Sequence, residues 1–263
     1  MQNLYAIYRK EMGHFFVSPV AYIVIGVFLI LCAIFFNLIF SAIVQRAFQQ
    51  SMQGMQYGGA VMPMDVPSLV LRNFFSVMGS LLLFLTPMLT MGIYSEERKR
   101  GTMELLMTSP ITDAEIVIGK FLAMLTLFLL MLLPTLIYLS YMYLHSDPAA
   151  PWRLLWGGYL GVLLLGGSLM AIGAFISSLT ENQLIAAVLT WGVFLILWVI
   201  DAAAQGVGET FGSILSYLSV LRHYDDFTHG VIDTTALIFY GSLIVLGLFL
   251  TMRSIDAMRW RHA

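Results

Sequence analysis

Residues 95–106 read Ser-Glu-Glu-Arg-Lys-Arg-Gly-Thr-Met-Glu-Leu-Leu and follow an apolar run that begins near Phe74. These charges predict that a membrane span ends here, because a charged side chain is costly in the hydrocarbon core. Met103, Leu105 and Leu106 then stand beside Glu104, as in a short amphipathic segment. A segment attached to the end of a span in this way is suited to binding a cytosolic partner and transmitting the partner's movement to the span.

The composition indicates a membrane protein. Hydrophobic residues make up 59% of the chain, charged residues make up 11%, and the mean hydropathy is +0.86. A soluble domain typically carries about 25% charged residues, so this chain is too apolar for that class. The net charge of -2, with basic residues grouped by side of the membrane, argues against nucleic-acid binding.

Six segments are long and apolar enough to cross a hydrocarbon core of ~30 Å. They lie at about 19–42, 74–94, 117–144, 155–179, 184–202 and 236–252. The side that holds both termini carries nine basic residues: Arg9, Lys10, Arg98, Lys99, Arg100, Lys120, Arg253, Arg259 and Arg261. The other side carries four: Arg46, Arg72, Arg153 and Arg222. By the positive-inside rule we expect both termini in the cytoplasm, and a single transmembrane domain over residues 1–263.

Local signals mark several helix boundaries. Ser18-Pro19 supplies an N-cap and a proline at the first helical position. Residues 112–115 (Thr-Asp-Ala-Glu) and 180–183 (Thr-Glu-Asn-Gln) each predict a capping box, opening the third and fifth spans. Pro87 and Pro134 lie inside spans two and three, where each removes a backbone hydrogen bond and predicts a kink.

The fourth span is rich in small residues. The spacing from Gly157 to Gly161, and from Gly167 to Ala171, lets another helix approach closely. Packing within the chain is the first interpretation, and a moving or dimer-forming surface is the alternative.

The outer loops, at about 43–73 and 203–235, predict short interfacial or re-entrant helices. Two groups of residues in these loops have side chains that can bind metal ions. Methionine is also a flexible packing residue, and exposed His and Asp are ordinary in a loop, so no metal site is assigned. The two groups are Met52, Met55, Met62 and Met64, and His223, Asp225, Asp226 and His229. The sequence contains neither a phosphate-binding loop nor a nucleophile elbow, so we assign no catalytic residue and no cofactor to this chain.

Three motifs together resemble a known family. Residues 96–110 read Glu-Glu-Arg-Lys-Arg-Gly-Thr-Met-Glu-Leu-Leu-Met-Thr-Ser-Pro, and residues 118–123 read Ile-Gly-Lys-Phe-Leu-Ala. They resemble a pattern of the ABC-2 type permeases. Residues 8–12 (Tyr-Arg-Lys-Glu-Met) and 227–233 (Phe-Thr-His-Gly-Val-Ile-Asp) are similar to the branch called gliding-motility-associated ABC transporter permeases.

The resemblance implies an all-α membrane protein of the bacterial inner membrane. It would have six transmembrane helices, a cytosolic N-terminal interfacial helix at about residues 4–16, and a coupling helix between helices 2 and 3 at about 102–107. The implied partners are a dimer of ABC ATPases, which would hold ATP and Mg²⁺, and a second permease copy or a related permease. The resemblance also implies a possible periplasmic or auxiliary subunit and membrane lipids as partners.

The coupling element is assigned to residues that begin at the end of span two. They are Glu96, Glu97, Arg98, Gly101, Thr102, Met103, Glu104, Leu105, Leu106 and Met107. Thr102 is expected to cap the coupling helix, and Glu97 to pair with Arg9 or Lys120. An ordinary solvated loop would account for the arginines at 98 and 100, but not for the apolar ending.

Three functions are compatible with these features. The first is an exporter permease for a lipid-like or amphipathic substrate. The second is a mechanotransmitter that moves a periplasmic partner while nothing crosses the membrane. The third is a membrane scaffold or assembly factor. The lack of charge between Lys120 and Leu144 argues against an ion pathway through the third span.

Overall fold

The structure is a computed structural model that describes residues 2–57, 64–104, 111–147, 149–206, 217 and 219–262. These residues form helices and contain no β-strand. The helices are α1 (Gln2–Val17), α2 (Pro19–Tyr57), α3 (Val66–Thr90), α4 (Ser95–Lys99), α5 (Asp113–Leu132), α6 (Leu136–His145), α7 (Trp152–Leu179), α8 (Gln183–Gly206), α9 (Val220–Thr228) and α10 (Thr234–His262).

Six helical segments of the described chain are long and apolar enough to cross a membrane. They are Pro19–Gln56, Val66–Lys99, Asp113–His145, Trp152–Leu179, Gln183–Ile200 and Thr234–Arg259. Each predicted span overlaps one of these segments. The prediction of an all-α membrane protein with six spans is therefore confirmed.

Helix α2 is longer than the sequence indicates. The apolar run ends near residue 42, but the helix continues to Tyr57, into the predicted outer loop. Its 39 residues correspond to a length of about 58 Å at 1.5 Å per residue. The continuation, residues 43–57, contains five Gln and two Met residues, which are good helix formers, so the chain stays helical after it ceases to be apolar.

The helix starts are partly as predicted. Helix α2 begins at Pro19, and the capping box of α5 is present: the Thr112 hydroxyl accepts from the Glu115 amide, and the Thr112 amide donates to the Glu115 carboxylate. The prediction of a second capping box, at residues 180–183, is wrong. The Asn182 side chain accepts from the Leu184 amide at 2.9 Å, whereas Thr180 accepts from the Asn182 amide. Asparagine is at least as good an N-cap as threonine and stands closer to the first turn.

The two prolines behave differently. Pro134 lies in a short 3-10 helix, Leu133–Thr135, that separates α5 from α6, so the third span is interrupted where its backbone hydrogen bond is lost. Pro87 lies inside α3, three residues before the helix ends at Thr90. Pro134 thus marks a break near the outer end of the third span, whereas Pro87 lies in a continuous part of α3 close to the turn that leads to α4.

Helix α7 forms the centre of the bundle, and its glycines allow close packing. A Cβ atom on Gly161 would lie 2.5 Å from the Cβ of Phe227 in α9. A Cβ on Gly157 would lie 3.1 Å from the Cα of Gly230, and one on Gly167 would lie 3.4 Å from Ile244 in α10. The structure places these three glycines against residues of the same chain.

Candidate functional site

The turn between α3 and α4 is held by one hydroxyl group of the central helix. The Ser177 hydroxyl of α7 accepts from the backbone amides of Tyr94 at 3.2 Å and Ser95 at 3.3 Å. It also donates to the Met91 carbonyl at 2.9 Å. A serine hydroxyl has one hydrogen to donate and two lone pairs, so all its hydrogen-bonding capacity is used in fixing this turn.

A buried lysine joins three helices beside this turn. Lys120 of α5 is 1% exposed, and its ammonium lies 2.9 Å from the carboxylates of both Glu11 in α1 and Glu97 in α4. The ammonium also donates to the Ile93 carbonyl at 2.9 Å, and lies 5.2 Å from the centre of the Tyr94 ring. The ammonium therefore donates hydrogen bonds to Glu11 and to the Ile93 carbonyl and forms an ion pair with Glu97, and such pairing offsets the cost of burying an ammonium group.

Lys10 completes the network on the side of the solvent. Its ammonium lies 2.7 Å from the second oxygen of Glu97, and its side chain is about half exposed. Partial burial alone would lower the pKa of Lys10, but the hydrogen bond to Glu97 and the charge of that carboxylate raise it above its ordinary value. Two ammonium groups thus face two carboxylates, Glu11 and Glu97, in a neutral cluster.

The opposite face of α4 is attached to the connection between α7 and α8. The Arg98 guanidinium donates to the Ser178 carbonyl at 2.7 Å and lies 3.2 Å from the Glu181 carboxylate. Glu96 pairs with Arg100 and accepts from the Gln183 amide group at 3.1 Å. Helix α4 therefore bridges α1 and α5 on one side to α7 and α8 on the other.

A tight turn leads from α4 into the next helix. Gly101 adopts a φ of +69°, in the left-handed region that glycine tolerates best. Residues 102–104 are helical, and the Thr102 hydroxyl donates to the Glu97 carbonyl at 3.3 Å. Thr102 thus connects α4 to residues 102–104; its predicted role as a cap involves the amide of Leu105, which lies outside the described residues.

The residues assigned to the coupling helix divide in two. Met103 is 3% exposed and belongs to the hydrophobic core, so it anchors the segment to the permease, whereas Glu104 faces solvent. Leu105, Leu106 and Met107 lie outside the described residues.

The carboxyl end of α10 lies in the same region. Arg259 lies 2.9 Å from Asp113 at the start of α5, and it also donates to the Ile111 carbonyl at 3.4 Å. Helix α1, the carboxyl end of α10, helix α4 and the connection between α7 and α8 therefore all lie at one end of the bundle. This grouping agrees with the charge distribution that predicts both termini on one side of the membrane.

The sequence predicted part of this network. The pairing of Glu97 with Lys120 is confirmed, but the cation contributed by α1 is Lys10, whereas Arg9 is exposed. Glu11 and Ser177 were not singled out as site residues. An acidic residue in an otherwise mostly apolar helix was the available signal for Glu11, while nothing in the local pattern distinguishes Ser177.

The polar residues of the second outer loop have other roles. The ring of His223 stacks on Phe239 at 4.1 Å, and its Nδ1 lies 2.9 Å from the Ser219 carbonyl oxygen. Within the part of the chain that the structure describes, no group of three or more His, Cys, Asp or Glu side chains could hold a metal ion. Met62 lies outside that part, while Met52, Met55 and Met64 are exposed.

Comparison with known proteins agrees with the architecture. No curated protein matches the sequence. Residues 5–253, which span nearly the whole chain, match the family described as ABC-2 family transporter protein. Members are membrane transport subunits that are generally non-catalytic and associate with an ABC ATPase. The six spans and this match identify the chain as a member of the ABC-2 family, the multi-pass membrane permease subunit of an ABC transporter.

Proposed function

We propose that this permease serves an ATP-driven exporter, and that α4 transmits the movement of the ATPases to α1 and α5. The observation that carries the proposal is the position of Glu97, whose two carboxylate oxygens contact Lys10 of α1 and Lys120 of α5. Separating the buried pair with Lys120 leaves an uncompensated charge, so movement of α4 that keeps this pair intact carries α5 with it, while the partly exposed pair with Lys10 is a weaker link to α1.

The docking element is the segment that follows the turn at Gly101. Buried Met103 fixes the start of the segment to the permease, exposed Glu104 lies near its amino end, and the sequence continues with Leu105, Leu106 and Met107. The buried core of an interface is apolar, and a few fully desolvated residues near its centre supply most of the binding energy. In this proposal they bind a groove on a dimer of ABC ATPases, which holds the ATP and Mg²⁺.

The proposed orientation places both termini in the cytoplasm of a bacterium and the spans in its inner membrane. The nine-to-four distribution of basic residues supports it. So do the ion pairs that join both terminal helices to α5, between Glu11 and Lys120 and between Arg259 and Asp113. The motifs at residues 8–12 and 227–233 favour the gliding-motility-associated branch of the family.

The cargo is proposed to be lipid-like or amphipathic, and the pathway to lie between two permease copies or between this chain and a related permease. The bundle is well filled around α7, whereas α2, α8 and α10 expose large apolar side chains. Trp191 and Val188 of α8 and Val245 of α10 belong to these faces, which suit contact with lipid or a second permease.

Mechanotransmission is the second candidate, and the length of α2 favours it. A hydrocarbon core is ~30 Å thick, so a helix of about 58 Å extends well beyond it. Helix α2 begins next to the cluster around Lys120 and ends on the opposite side of the bundle. It could therefore carry movement to a periplasmic or auxiliary subunit. Cargo-stimulated ATPase activity in liposomes supports export, whereas movement of α2 without flux supports mechanotransmission.

Co-purification with the partner ATPase tests the docking element. Leu105→Asp puts an unpaired charge into the proposed apolar groove and is expected to cost on the order of 2–5 kcal/mol of partner binding. The matched control is Val231→Asp, an exposed apolar position on the opposite side of the bundle, which should leave the complex intact. If the Leu105→Asp complex stays assembled with normal ATP turnover, residues 102–107 are not the docking helix.

A further inference from the structure

A cavity of about 280 Å³ lies beside the cluster around Lys120. It is enclosed by α1, the first turn of α2, the end of α3 and α4, with Gln183 of α8 at its edge. Binding pockets for small molecules typically begin at about 300 Å³. The cavity is therefore large enough for the polar end of an amphipathic molecule but not for a whole lipid.

One wall of the cavity carries equal numbers of cations and carboxylates, which lie at different depths. Its cations are Lys10, Arg100 and Lys120, and its carboxylates are Glu11, Glu96 and Glu97. The two cations nearest solvent, Lys10 and Arg100, have side chains that are 55% and 66% exposed. The three carboxylates are between 6% and 22% exposed, so they lie deeper than these two cations.

The other wall is apolar and reaches the outside of the bundle. Phe15, Ala21 and Leu89 line it, together with Val20 and Met88, which are also exposed on the surface of α2 and α3. Farther along the same two helices, Phe36 and Phe74 pack edge to face with ring centres 5.4 Å apart. The cavity thus occupies the space between the ends of α2 and α3 and meets the bilayer-facing surface there.

We propose that this cavity binds the headgroup of a zwitterionic aminophospholipid from the adjacent leaflet. A lipid that enters between α2 and α3 leaves its acyl chains against Val20 and Met88. Its phosphate reaches the exposed cations first, and its terminal ammonium extends to the deeper carboxylates. This order of charges matches the order of the cavity wall. The proposal rests on the placement of α1 and α4 at the membrane boundary, not on the identity of the cargo.

Binding of the lipid replaces a weak ion pair of the protein with stronger contacts to the headgroup. Glu96 and Arg100 form a partly exposed ion pair four residues apart on one turn of chain, and such pairs contribute little in water. A lipid phosphate can accept two parallel hydrogen bonds from Arg100, which releases Glu96 to accept from the ammonium. The pair between Lys120 and Glu11 is left in place, so the lipid stabilises the network instead of dismantling it.

The same chemistry discriminates between headgroups. A primary ammonium has three hydrogens to donate to Glu96 and Glu97, whereas the trimethylammonium of choline has none. A phosphoglycerol headgroup carries the phosphate but no cation for the carboxylates. Phosphatidylethanolamine is therefore expected to bind better than phosphatidylcholine or phosphatidylglycerol.

Native mass spectrometry of the purified full-length permease, with equal amounts of the three lipids, tests this order. We expect about tenfold higher affinity for phosphatidylethanolamine, which corresponds to about 1.4 kcal/mol. Arg100→Gln should weaken binding of all three lipids, and Glu96→Gln should abolish the preference while retaining binding. Lys99→Gln, at an exposed neighbour outside the cavity, should behave as the unmodified protein does. Equal affinities in the unmodified protein, or a preference that survives Glu96→Gln, would overturn the proposal.

A second arm distinguishes a lipid from its free headgroup. Soluble glycerophosphoethanolamine at the same concentration should not displace the bound lipid, because it lacks the chains that contact Val20 and Met88. Displacement at equal concentration would show that the apolar wall is not used and would contradict the lipid assignment. Both arms use the permease without its ATPase, so a failure of the docking segment leaves their results unchanged.

Discussion

The ammonium of Lys120 in α5 lies 2.9 Å from the carboxylate of Glu97 in α4, inside the protein. The same carboxylate contacts Lys10 of α1, so one side chain joins three helices at the point where the second span meets the proposed docking segment. A short helix attached only by its backbone could swing freely. Under the proposed function, one attached through a buried ion pair transmits its displacement.

Removing the buried ammonium is expected to destabilise the permease strongly. Lys120→Met leaves Glu11 and Glu97 without their shared cation, and breaking such a buried pair costs about 3–5 kcal/mol. Denaturant unfolding in detergent measures the change in the free energy of unfolding. Lys99→Met, at an exposed position of α4, is the control and should change it by less than about 0.5 kcal/mol. Equal effects of the two changes would show that the network does not stabilise the fold.

The contribution of Lys10 to the free energy of unfolding should be small, and it should not depend on pH in the neutral range. Its pKa is raised above the ordinary value of 10.5, so its stabilisation is complete below that value and is lost only as the pH rises through the folded-state pKa. Lys10→Gln is expected to lower the free energy of unfolding by less than about 1 kcal/mol, since the side chain is half exposed. The same loss should be measured at about pH 7 and about pH 9, while Glu97 is ionised. A loss that changed between these two values would contradict the assignment.

A bulky residue at Gly161 should disturb the centre of the bundle. Gly161→Leu places a side chain where Phe227 already lies, and overpacking of this kind costs about 1–3 kcal/mol. We expect lower thermal stability and impaired assembly or transport, with partial recovery when Phe227→Ala is added. Gly241→Leu is the matched control for thermal stability, because a Cβ there meets nothing within 4 Å. If Gly161→Leu were as stable as Gly241→Leu and assembled and functioned as the unmodified protein does, the close approach of α7 and α9 would be dispensable.

The proposed orientation can be tested by cysteine labelling in intact cells. Cys32 is buried, and Cys32→Ala gives a background without thiols. Lys99→Cys should react with an impermeant maleimide only after lysis, whereas His229→Cys should react before it. His229 is the appropriate outer position because its side chain is 45% exposed, while the adjacent Thr228 is 2% exposed. Labelling at position 99 in intact cells, with none at 229, would invert the topology.

The sequence predicts the spans well because their length and hydropathy are local properties. It predicts the pairing of Glu97 with Lys120 because a lone cation at the end of a span has few partners at that depth. From α1 the sequence indicates Arg9, whereas the structure uses Lys10, because neighbouring residues of a helix point about 100° apart and only the packing of α1 on α5 selects one. The burial of Met103 and the role of Ser177 likewise depend on how distant helices meet. The end of α2 was missed because hydropathy marks where the membrane ends, not where a helix does.

The distance between α1 and α8 in the complex with the ATPase is the most direct test of coupling through Glu97. Spin labels at Tyr5→Cys and Leu184→Cys occupy exposed positions on these two helices. We expect this distance to change when ATP is trapped in the otherwise unmodified complex, and in the Lys99→Gln control. In Glu97→Gln the ATPase should remain bound, but the distance should stay at its nucleotide-free value. A Glu97→Gln complex that shows the full ATP-dependent change would contradict transmission through this carboxylate.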